Sequence, residues 1–291
     1  MSYSGWILLT ASLVGVSCGM IGVFLILRRM AMMADAISHT VLLGIVIAYL
    51  VTRELAGVHM LVGAVVAGLL TTLLVQWFQG RGVQQDAAIG VVFTTLFSIG
   101  VILIAAKAGN AHLDVQHALM GEIAFVPWEL VEVPLIGEIP QATFTLLVVL
   151  AVILLAVLAF YKEWKITTFD PELAASIGIP VAFIHYLFMG LVSVTTVASF
   201  DAVGAILVVA MLITPAASAY LWTDRLAVML ALSSAFGAAS AVIGYYLAVW
   251  LDTSISGSMA FTSGLVFLFS LLCSPKHGLL ARLVRPALRN K

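Results

Sequence analysis

Long runs of apolar residues separated by short polar segments make up most of the chain. Each run is about 20 residues long, which is the length an α-helix rising about 1.5 Å per residue needs to cross the hydrocarbon core of a membrane. The runs are continuous rather than alternating, so they are not the strands of a membrane β-barrel. The pattern predicts nine spans, at residues 6–27, 32–51, 60–78, 87–106, 142–161, 181–199, 202–222, 226–251 and 259–273.

Composition supports a membrane protein of the all-α class. Hydrophobic residues make up 63% of the chain and charged residues only 9%, whereas soluble domains carry about 25% charged residues. We expect one polytopic helix-bundle domain over residues 1–291, with nine spans, or with eight spans and a re-entrant segment. The net charge of −1 argues against a nucleic-acid partner and leaves the lipid bilayer as the main surroundings.

Positive charges indicate which ends of the spans face the cytoplasm. Arg28 and Arg29 follow the first apolar run directly, whereas a signal peptide would carry its charges before the run. The C-terminal tail is also basic, with Lys276, Arg282 and Arg285. Because basic residues favour the cytoplasmic side, the first span is predicted to stay uncleaved, with the N-terminus outside and the C-terminus in the cytoplasm. This arrangement requires an odd number of spans.

Two longer polar segments interrupt the series of spans. Residues 107–141 are predicted to form an acidic loop on the outer side. His112 and His117 lie in this loop five residues apart, so they do not share a helical face, and we interpret both as solvated. The segment 162–180 is predicted to be cytoplasmic, since Lys162 opens it.

A short helix is predicted at residues 170–178 of the cytoplasmic segment. Asp170 suits the N-cap and Pro171 the first helical position. Glu172 lies at the positive end of the helix dipole, and Gly178 suits the stop. About two turns are too short to cross a membrane. The pattern leaves two interpretations open: a loop that happens to be helical, or a surface that a separate motor protein contacts.

Asp35 and His39 lie four residues apart inside the second apolar run, so a helix places both on one face, one turn apart. An ionisable residue at that depth costs about 2.5–3.5 kcal/mol, which favours a functional role. A carboxylate and an imidazole are ligands of divalent metals such as Mn²⁺, Fe²⁺ and Zn²⁺. Two ligands are too few for a tight site, but two copies of the chain would supply four. The alternative interpretation is a hydrogen-bonded pair that locks helix packing.

Four further residues carry weaker signals. Ser38 precedes His39 and is a candidate for orienting the metal ligands. Asp201 is interpreted first as the N-cap of the seventh span, and alternatively as a ligand or gate at the outer mouth. Pro215 lies inside the seventh span, where it kinks the helix and is a candidate gating hinge. His185, inside the sixth span, is interpreted as a packed histidine rather than a ligand.

Three catalytic motifs are absent from the sequence. It contains no Gly-x-x-x-x-Gly-Lys-Ser/Thr loop, so the chain does not itself hold ATP in that cradle. The motifs His-Glu-x-x-His and Gly-x-Ser-x-Gly are also missing. Other intramembrane enzymes need none of these motifs, so that class stays open at this point.

Three stretches together identify a family. They are AISHTVLLGI at 36–45, FDPELAASIG at 169–178 and DAVGAILVVAMLITPAASA at 201–219. The chain resembles, over nearly its whole length, the permease subunits of bacterial ATP-binding-cassette importers for manganese, zinc and iron. The three stretches keep the family's order. One departure is Thr40, where the family usually has an alanine.

The resemblance implies a permease in the bacterial cytoplasmic membrane that works as a homodimer or beside a similar permease. Each copy would bind a cytoplasmic ATPase, which hydrolyses ATP, and an extracytoplasmic metal-binding protein would deliver the ion. Asp35 and His39 match the family's metal-coordinating positions. The family's coupling helix, which sits in a groove of the ATPase, matches Asp170, Pro171, Glu172, Leu173, Ala174, Ala175 and Gly178.

The cargo implied by the resemblance is a divalent metal, with Mn²⁺ favoured over Zn²⁺ and Fe²⁺, and no permanently bound cofactor is expected. No role carries over to Asp201. Two other classes stay open at this point. One is a stand-alone metal carrier driven by an ion gradient, and the other, ranked lower, is an intramembrane enzyme with Asp35 and His39 as catalytic groups.

Overall fold

The computed structural model of the chain describes residues 3–52, 58–107, 123–128, 130–133, 137–274 and 278. Helices dominate this described part. They are α1 (Tyr3–Leu27), α2 (Ala31–Thr52), α3 (Val58–Gln79), α4 (Gln85–Lys107), α5 (Gln141–Ala159), α6 (Tyr161–Phe169), α7 (Pro171–Ser176), α8 (Val181–Val203), α9 (Ala205–Trp222), α10 (Leu226–Leu251) and α11 (Ile255–Cys273). A 3-10 helix (Ile123–Trp128) and two antiparallel strands, β1 (Leu130–Val133) and β2 (Gly137–Pro140), lie between α4 and α5.

Nine helices within the described ranges are long and apolar enough to cross a membrane. Each corresponds to one predicted span, so the all-α, nine-span membrane bundle is confirmed, and none of these nine has to be a re-entrant segment. The ninth span starts earlier than predicted, at Ile255 instead of residue 259. The reason is a cap, because the Ser254 side chain accepts a hydrogen bond from the Gly257 N–H.

Contacts at the two ends of α1 show which segments share a side of the bundle. At its start, the Tyr3 hydroxyl donates to the backbone oxygen of Ala124 in the 3-10 helix. At its end, Arg28 donates to Thr167 and Thr168 of α6. The α4–α5 connection and the α6–α7 segment therefore lie at opposite ends of the bundle, as predicted. Some predicted features lie outside the described residues: His112, His117, much of the loop 107–141, Lys276, Arg282 and Arg285.

The helix α1 occupies the centre of the bundle, and 78% of the residues in its most apolar stretch are buried. Its glycines make this possible. A Cβ at Gly19 would lie 2.9 Å from the Ser233 backbone oxygen of α10, and a Cβ at Gly22 would overlap the Leu212 backbone oxygen of α9. The Ser233 hydroxyl also donates to the Gly19 carbonyl oxygen at 2.7 Å. Small residues that let backbones meet are a main source of packing between membrane helices.

A second close contact holds α2 between α3 and α4. Gly44 of α2 faces Gly63 of α3, and a Cβ on Gly44 would overlap the Gly63 backbone oxygen. On the other side, a Cβ at Gly100 of α4 would lie 3.2 Å from the Leu43 backbone. These contacts fix the position of the helix that carries the candidate metal ligands.

The junction between α8 and α9 differs from the sequence expectation. The chain breaks at Gly204, which has a φ of +80° and is the N-cap of α9. Asp201 therefore lies within the last turn of α8, and its interpretation as the N-cap of the seventh span is wrong. A positive φ favours glycine, so Gly204 was the better signal for the break. Pro215 lies inside α9 and is buried, as predicted.

The helix α6 was not predicted. The sequence assigned residues 142–161 to one span and the following residues to a loop, but Phe160 separates two helices. Trp164 anchors α6, since it is fully buried and its ring packs edge-on against Phe24 at 5.2 Å and Phe188 at 5.8 Å between centroids. Polar residues surround Trp164 in the sequence, so the hydropathy pattern did not predict that its side chain is buried.

Replacing Gly22 with alanine should destabilise the bundle. The added Cβ has to displace the Leu212 carbonyl group, and overpacking of this kind costs about 1–3 kcal/mol. The measurement is the thermal unfolding midpoint of the purified chain in detergent. Gly90→Ala is the matched control, because a Cβ at Gly90 meets nothing within 4 Å. Equal midpoints for the two variants would contradict the central role of this contact.

Candidate metal site

Asp35 and His39 project from α2 one turn apart. The Oδ1 atom of Asp35 and the Nε2 atom of His39 are 3.6 Å apart, and each side chain is 34% exposed. This separation is longer than a hydrogen bond of about 2.7–3.2 Å. The pair therefore keeps free coordination capacity on an open face of the helix, which is unlike a contact that locks buried helices together.

Two aromatic rings of α4 hold the imidazole of His39. Phe93 stacks on it with an interplanar angle of 28°, and Phe97 meets it edge-on at 69°, both with ring centroids 5.8 Å away. The two phenylalanines are four residues apart, so they lie on the same face of α4. They set the plane of the imidazole ring. Sequence reasoning did not select them, although two phenylalanines at this spacing were the available signal.

Two buried hydroxyl groups on the other sides of α2 are satisfied by hydrogen bonds. The Ser38 hydroxyl is fully buried and donates to the backbone oxygen of Asp35 at 2.7 Å, so this bond goes to the helix backbone and not to the carboxylate. Thr40 donates to the Ile37 backbone oxygen at 3.1 Å and accepts from Thr71 of α3 at 2.8 Å. The hydrogen bond with Thr71 explains how the Thr40 hydroxyl is accommodated at a position where the family usually has alanine.

The described part of one copy does not surround the Asp35–His39 pair with further metal-binding side chains. Within the described residues, no three His, Cys, Asp or Glu side chains come together to hold an ion. Asp201 is exposed near the end of α8, whereas Asp35 lies in the second turn of α2, which begins at the other side of the bundle. The structure therefore does not bring Asp201 to the pair. A metal ion bound by this pair would need further ligands from outside these residues, from a second copy or from water.

The predicted helix at residues 170–178 is present as α7. Asp170 caps it, because its Oδ1 accepts from the Leu173 N–H at 2.9 Å, and Pro171 is the first helical residue. The helix ends at Ser176, and Gly178 follows with a φ of +85°. The cap, the proline and the stop are thus confirmed as local structure.

Large apolar side chains are exposed on this segment, next to the exposed Asp170 and Glu172. Three side chains four residues apart in sequence are exposed: Phe169 at 59%, Leu173 at 48% and Ile177 at 59%. Ala174, in contrast, is fully buried within the chain. An exposed apolar cluster on a short segment outside the spans is typical of an interaction surface.

Arg28 connects the α6–α7 segment to the turn before α2. Its Nε donates to Thr168 at 3.0 Å and its Nη2 to Thr167 at 3.1 Å, and its guanidinium lies 4.8 Å from the Phe188 ring centroid. Burial lowers the pKa of Arg28 to about 10, so the group stays protonated at neutral pH. The sequence had indicated only its side of the membrane, because long-range partners leave no local pattern.

Comparison with known proteins gives a consistent result. Residues 2–274 match the ABC 3 transport family. The manganese transport system membrane protein MntD of Bacillus subtilis (strain 168) is 56% identical, over 98% of this chain and 97% of that protein. The zinc transport system membrane protein TroD of Treponema pallidum (strain Nichols) is 45% identical, over 97% of this chain and 77% of that protein.

A solved structure agrees with the sequence comparisons. A chain of PsaBC from Streptococcus pneumoniae, in complex with Fab, has a TM-score of 0.79 and 36% identity over 95% of this chain and 94% of that chain. The resemblance stated from three sequence stretches is therefore confirmed. With a family match over almost its entire length and nine membrane-spanning helices in its described part, this chain belongs to the ABC 3 transport family and is one of its multi-pass membrane permeases.

Proposed function

We propose that the chain is the permease of an ATP-driven importer that moves a divalent transition metal into a bacterial cytoplasm. The observation that carries the proposal is the open Asp35–His39 pair within a membrane-spanning helix. Mn²⁺ is the favoured cargo, since the relative with 56% identity is a manganese transport protein, and the zinc transport relative makes Zn²⁺ the next candidate. Fe²⁺ fits the same ligand types.

Two copies of the permease would complete the site. A homodimer with α2 near its axis brings together two carboxylates and two imidazoles, which suits a borderline divalent ion. The carboxylates offset the charge of the desolvated ion, and Phe93 and Phe97 keep His39 in one orientation. Such a site should bind less firmly than a closed structural cage, because an ion that is transported has to leave.

The α6–α7 segment is proposed to contact a separate ATPase. The chain has no phosphate-binding loop of its own, and the exposed cluster of Phe169, Leu173 and Ile177 offers an apolar surface for a groove on a partner. The residues matched to the family's coupling helix surround this cluster. ATP binding would displace the segment, and Arg28 ties that segment to the start of α2.

An ATPase contact through the α6–α7 segment would place that end of the bundle in the cytoplasm. The N-terminus would lie outside and the C-terminus in the cytoplasm, with an extracytoplasmic metal-binding protein docking near the α4–α5 connection. Asp201, close to that outer end, is a candidate gate residue, and Pro215 is a candidate hinge within α9. Ser38 supports the ligands only through the backbone of α2.

Replacing either metal ligand should abolish uptake. His39→Ala and Asp35→Ala each remove half of the pair, and we expect radioactive Mn²⁺ uptake to fall by at least about tenfold, because even groups that only support ligands matter by about 10–100-fold. Uptake is measured in vesicles that hold the permease, its ATPase and its binding protein. Thr40→Ala is the matched control, since Thr40 is buried on the other face of α2. Normal uptake by both ligand variants would end the proposal for this site.

Uptake by the same vesicles also shows whether ATP hydrolysis or an ion gradient drives transport. An ATPase variant that binds but does not hydrolyse ATP should stop uptake, whereas dissipating the proton and sodium gradients should leave it unchanged. The opposite result would identify a carrier driven by an ion gradient. Inhibition of wild-type Mn²⁺ uptake by added Zn²⁺ or Fe²⁺ shows which of the three ions the transporter prefers.

Removing the aromatic support of His39 should weaken transport without preventing assembly. Phe93→Leu and Phe97→Leu keep apolar volume but lose the ring contacts, and aromatic pairs of this kind contribute about 0.5–1.5 kcal/mol. We expect uptake to fall by about two- to tenfold while co-purification with the ATPase stays normal. Phe269→Leu, at an exposed position on α11, is the control. Wild-type uptake in both variants would show that the rings do not position the ligand.

An acidic residue in the exposed cluster should dissociate the ATPase. Leu173→Asp places a charge where we propose an apolar contact, and loss of a central contact reduces binding by about tenfold or more. The measurement is co-purification of the ATPase with the permease. A charge at Ala174 is a poorer test, because Ala174 is buried in the permease itself. Val83→Asp is the control, at an exposed apolar position in the α3–α4 turn on the same side; equal retention of the ATPase by both variants would contradict the contact.

A further inference from the structure

A cavity of about 720 Å³ lies at the end of the bundle where α1 ends and α8 begins. Its walls come from the α1–α2 turn, the last residues of α3, the end of α6 and the first turn of α8. The cavity opens to the surroundings of the chain. It is separate from the Asp35–His39 pair, since neither residue lines it.

The cavity carries uncompensated positive charge. Arg28 and Arg29 line it, and no Asp or Glu is among its lining residues. Throughout the described part of the chain, no carboxylate forms an ion pair with either guanidinium. The partners of Arg28 are two neutral hydroxyl groups and a phenyl ring. An occupant that complements this cavity has to be anionic.

Two residues that line the cavity each carry an unpaired polar atom. The Nε2 atoms of Gln79 and His185 are buried and have no hydrogen-bond partner. The first turn of α8 adds further donors, because no side chain caps it and Val181 and Ala182 line the cavity. A buried donor without an acceptor is costly. Oxygen atoms of a bound anion would satisfy several of these donors at once.

An apolar groove continues from the cavity along the span. It has a volume of about 590 Å³, shares Gln76 and Tyr186 with the cavity, and is otherwise lined by Leu73, Leu74 and Trp77 of α3. Leu73 is 49% and Trp77 53% exposed, so the groove opens on the outer face of the helix. Tryptophan and tyrosine are enriched where a span meets the membrane surface.

We infer that the cavity and the groove together bind an anionic phospholipid. Its phosphate lies between Arg28, Arg29 and Gln79, and an acyl chain follows Leu73 and Trp77 along α3. The leaflet is the one at this end of the bundle, which is cytoplasmic in the proposed orientation. The lipid phosphate shares Arg28 with α6, so an occupied site braces the contact between the α6–α7 segment and the turn before α2.

The groove distinguishes a lipid from the other anions that fit the cavity. A free phosphate ion uses the charged cavity but has no part that occupies an apolar groove on a membrane-facing helix. An acidic loop of a partner ATPase reaches the cavity from the aqueous side and leaves the groove empty. Of these three candidates, the lipid alone has both a charged end and an apolar end.

The test is native mass spectrometry of the intact permease in detergent, with phosphatidylglycerol or phosphatidylcholine of identical acyl chains added. Wild type should bind phosphatidylglycerol more tightly. Arg29→Gln should reduce this preference by about fivefold, since one basic side chain near an anionic lipid surface contributes about that factor. Arg225→Gln, at an exposed arginine in the α9–α10 turn on the same side, should leave the preference unchanged. Arg28→Lys, which keeps the charge, should retain most of it.

A separate substitution tests the role of the groove. Trp77→Ala should weaken both lipids about equally, while Trp250→Ala, at an exposed tryptophan of α10 on the other side of the bundle, should weaken neither. Equal binding of the two lipids by wild type, or an unchanged preference in Arg29→Gln, would overturn the inference. So would binding of glycerol phosphate as tight as that of phosphatidylglycerol, which would indicate a free-anion site. Release of the lipid when the ATPase is added would show that the cavity belongs to that contact. None of these readouts depends on metal transport.

Discussion

The close backbone contact of α1 with α9 and α10 is the constraint on which the rest of the bundle depends. Lipid tails are as apolar as leucine, so burying apolar surface does not drive membrane helices together, and contacts of small residues have to do so. Gly19 and Gly22 allow these contacts. The helix α1 lies at the centre of the bundle, and from its end near Arg28 the chain turns directly into α2.

The helix α2 is divided into a structural face and a chemical face. On one face Gly44 and the Thr40–Thr71 hydrogen bond hold it against its neighbours. On the other face the Asp35 and His39 side chains stay one-third exposed. This division is what an ion site in a membrane needs, because the ligands must be held firmly by a helix that packs well and yet remain open to the ion.

Sequence patterns predicted the nine spans, the Asp35–His39 pair and the capped helix at 171–176, because each leaves a local signal: a long apolar run, a helical spacing, or a cap with a proline. They did not predict α6, since Trp164 is buried by phenylalanines far away in sequence. They also missed the support of His39 by two rings of another helix, and they placed a break at Asp201 that belongs to Gly204. The first two failures share one cause, which is that packing between distant segments is not encoded in short patterns. The third passed over a local signal, the glycine at position 204.

The same long-range packing links the α6–α7 segment to the helix that carries Asp35 and His39. Trp164 sits between Phe24 near the end of α1 and Phe188 in α8, and Arg28 bonds to the next turn of α6. Any displacement of α6 that preserves these contacts also moves the end of α1 and the turn that follows it. Because α2 starts at Ala31, only a few residues separate that turn from Asp35. Because this stretch is one continuous helix, a displacement of its start would reach Asp35 directly, without a chain of separate contacts.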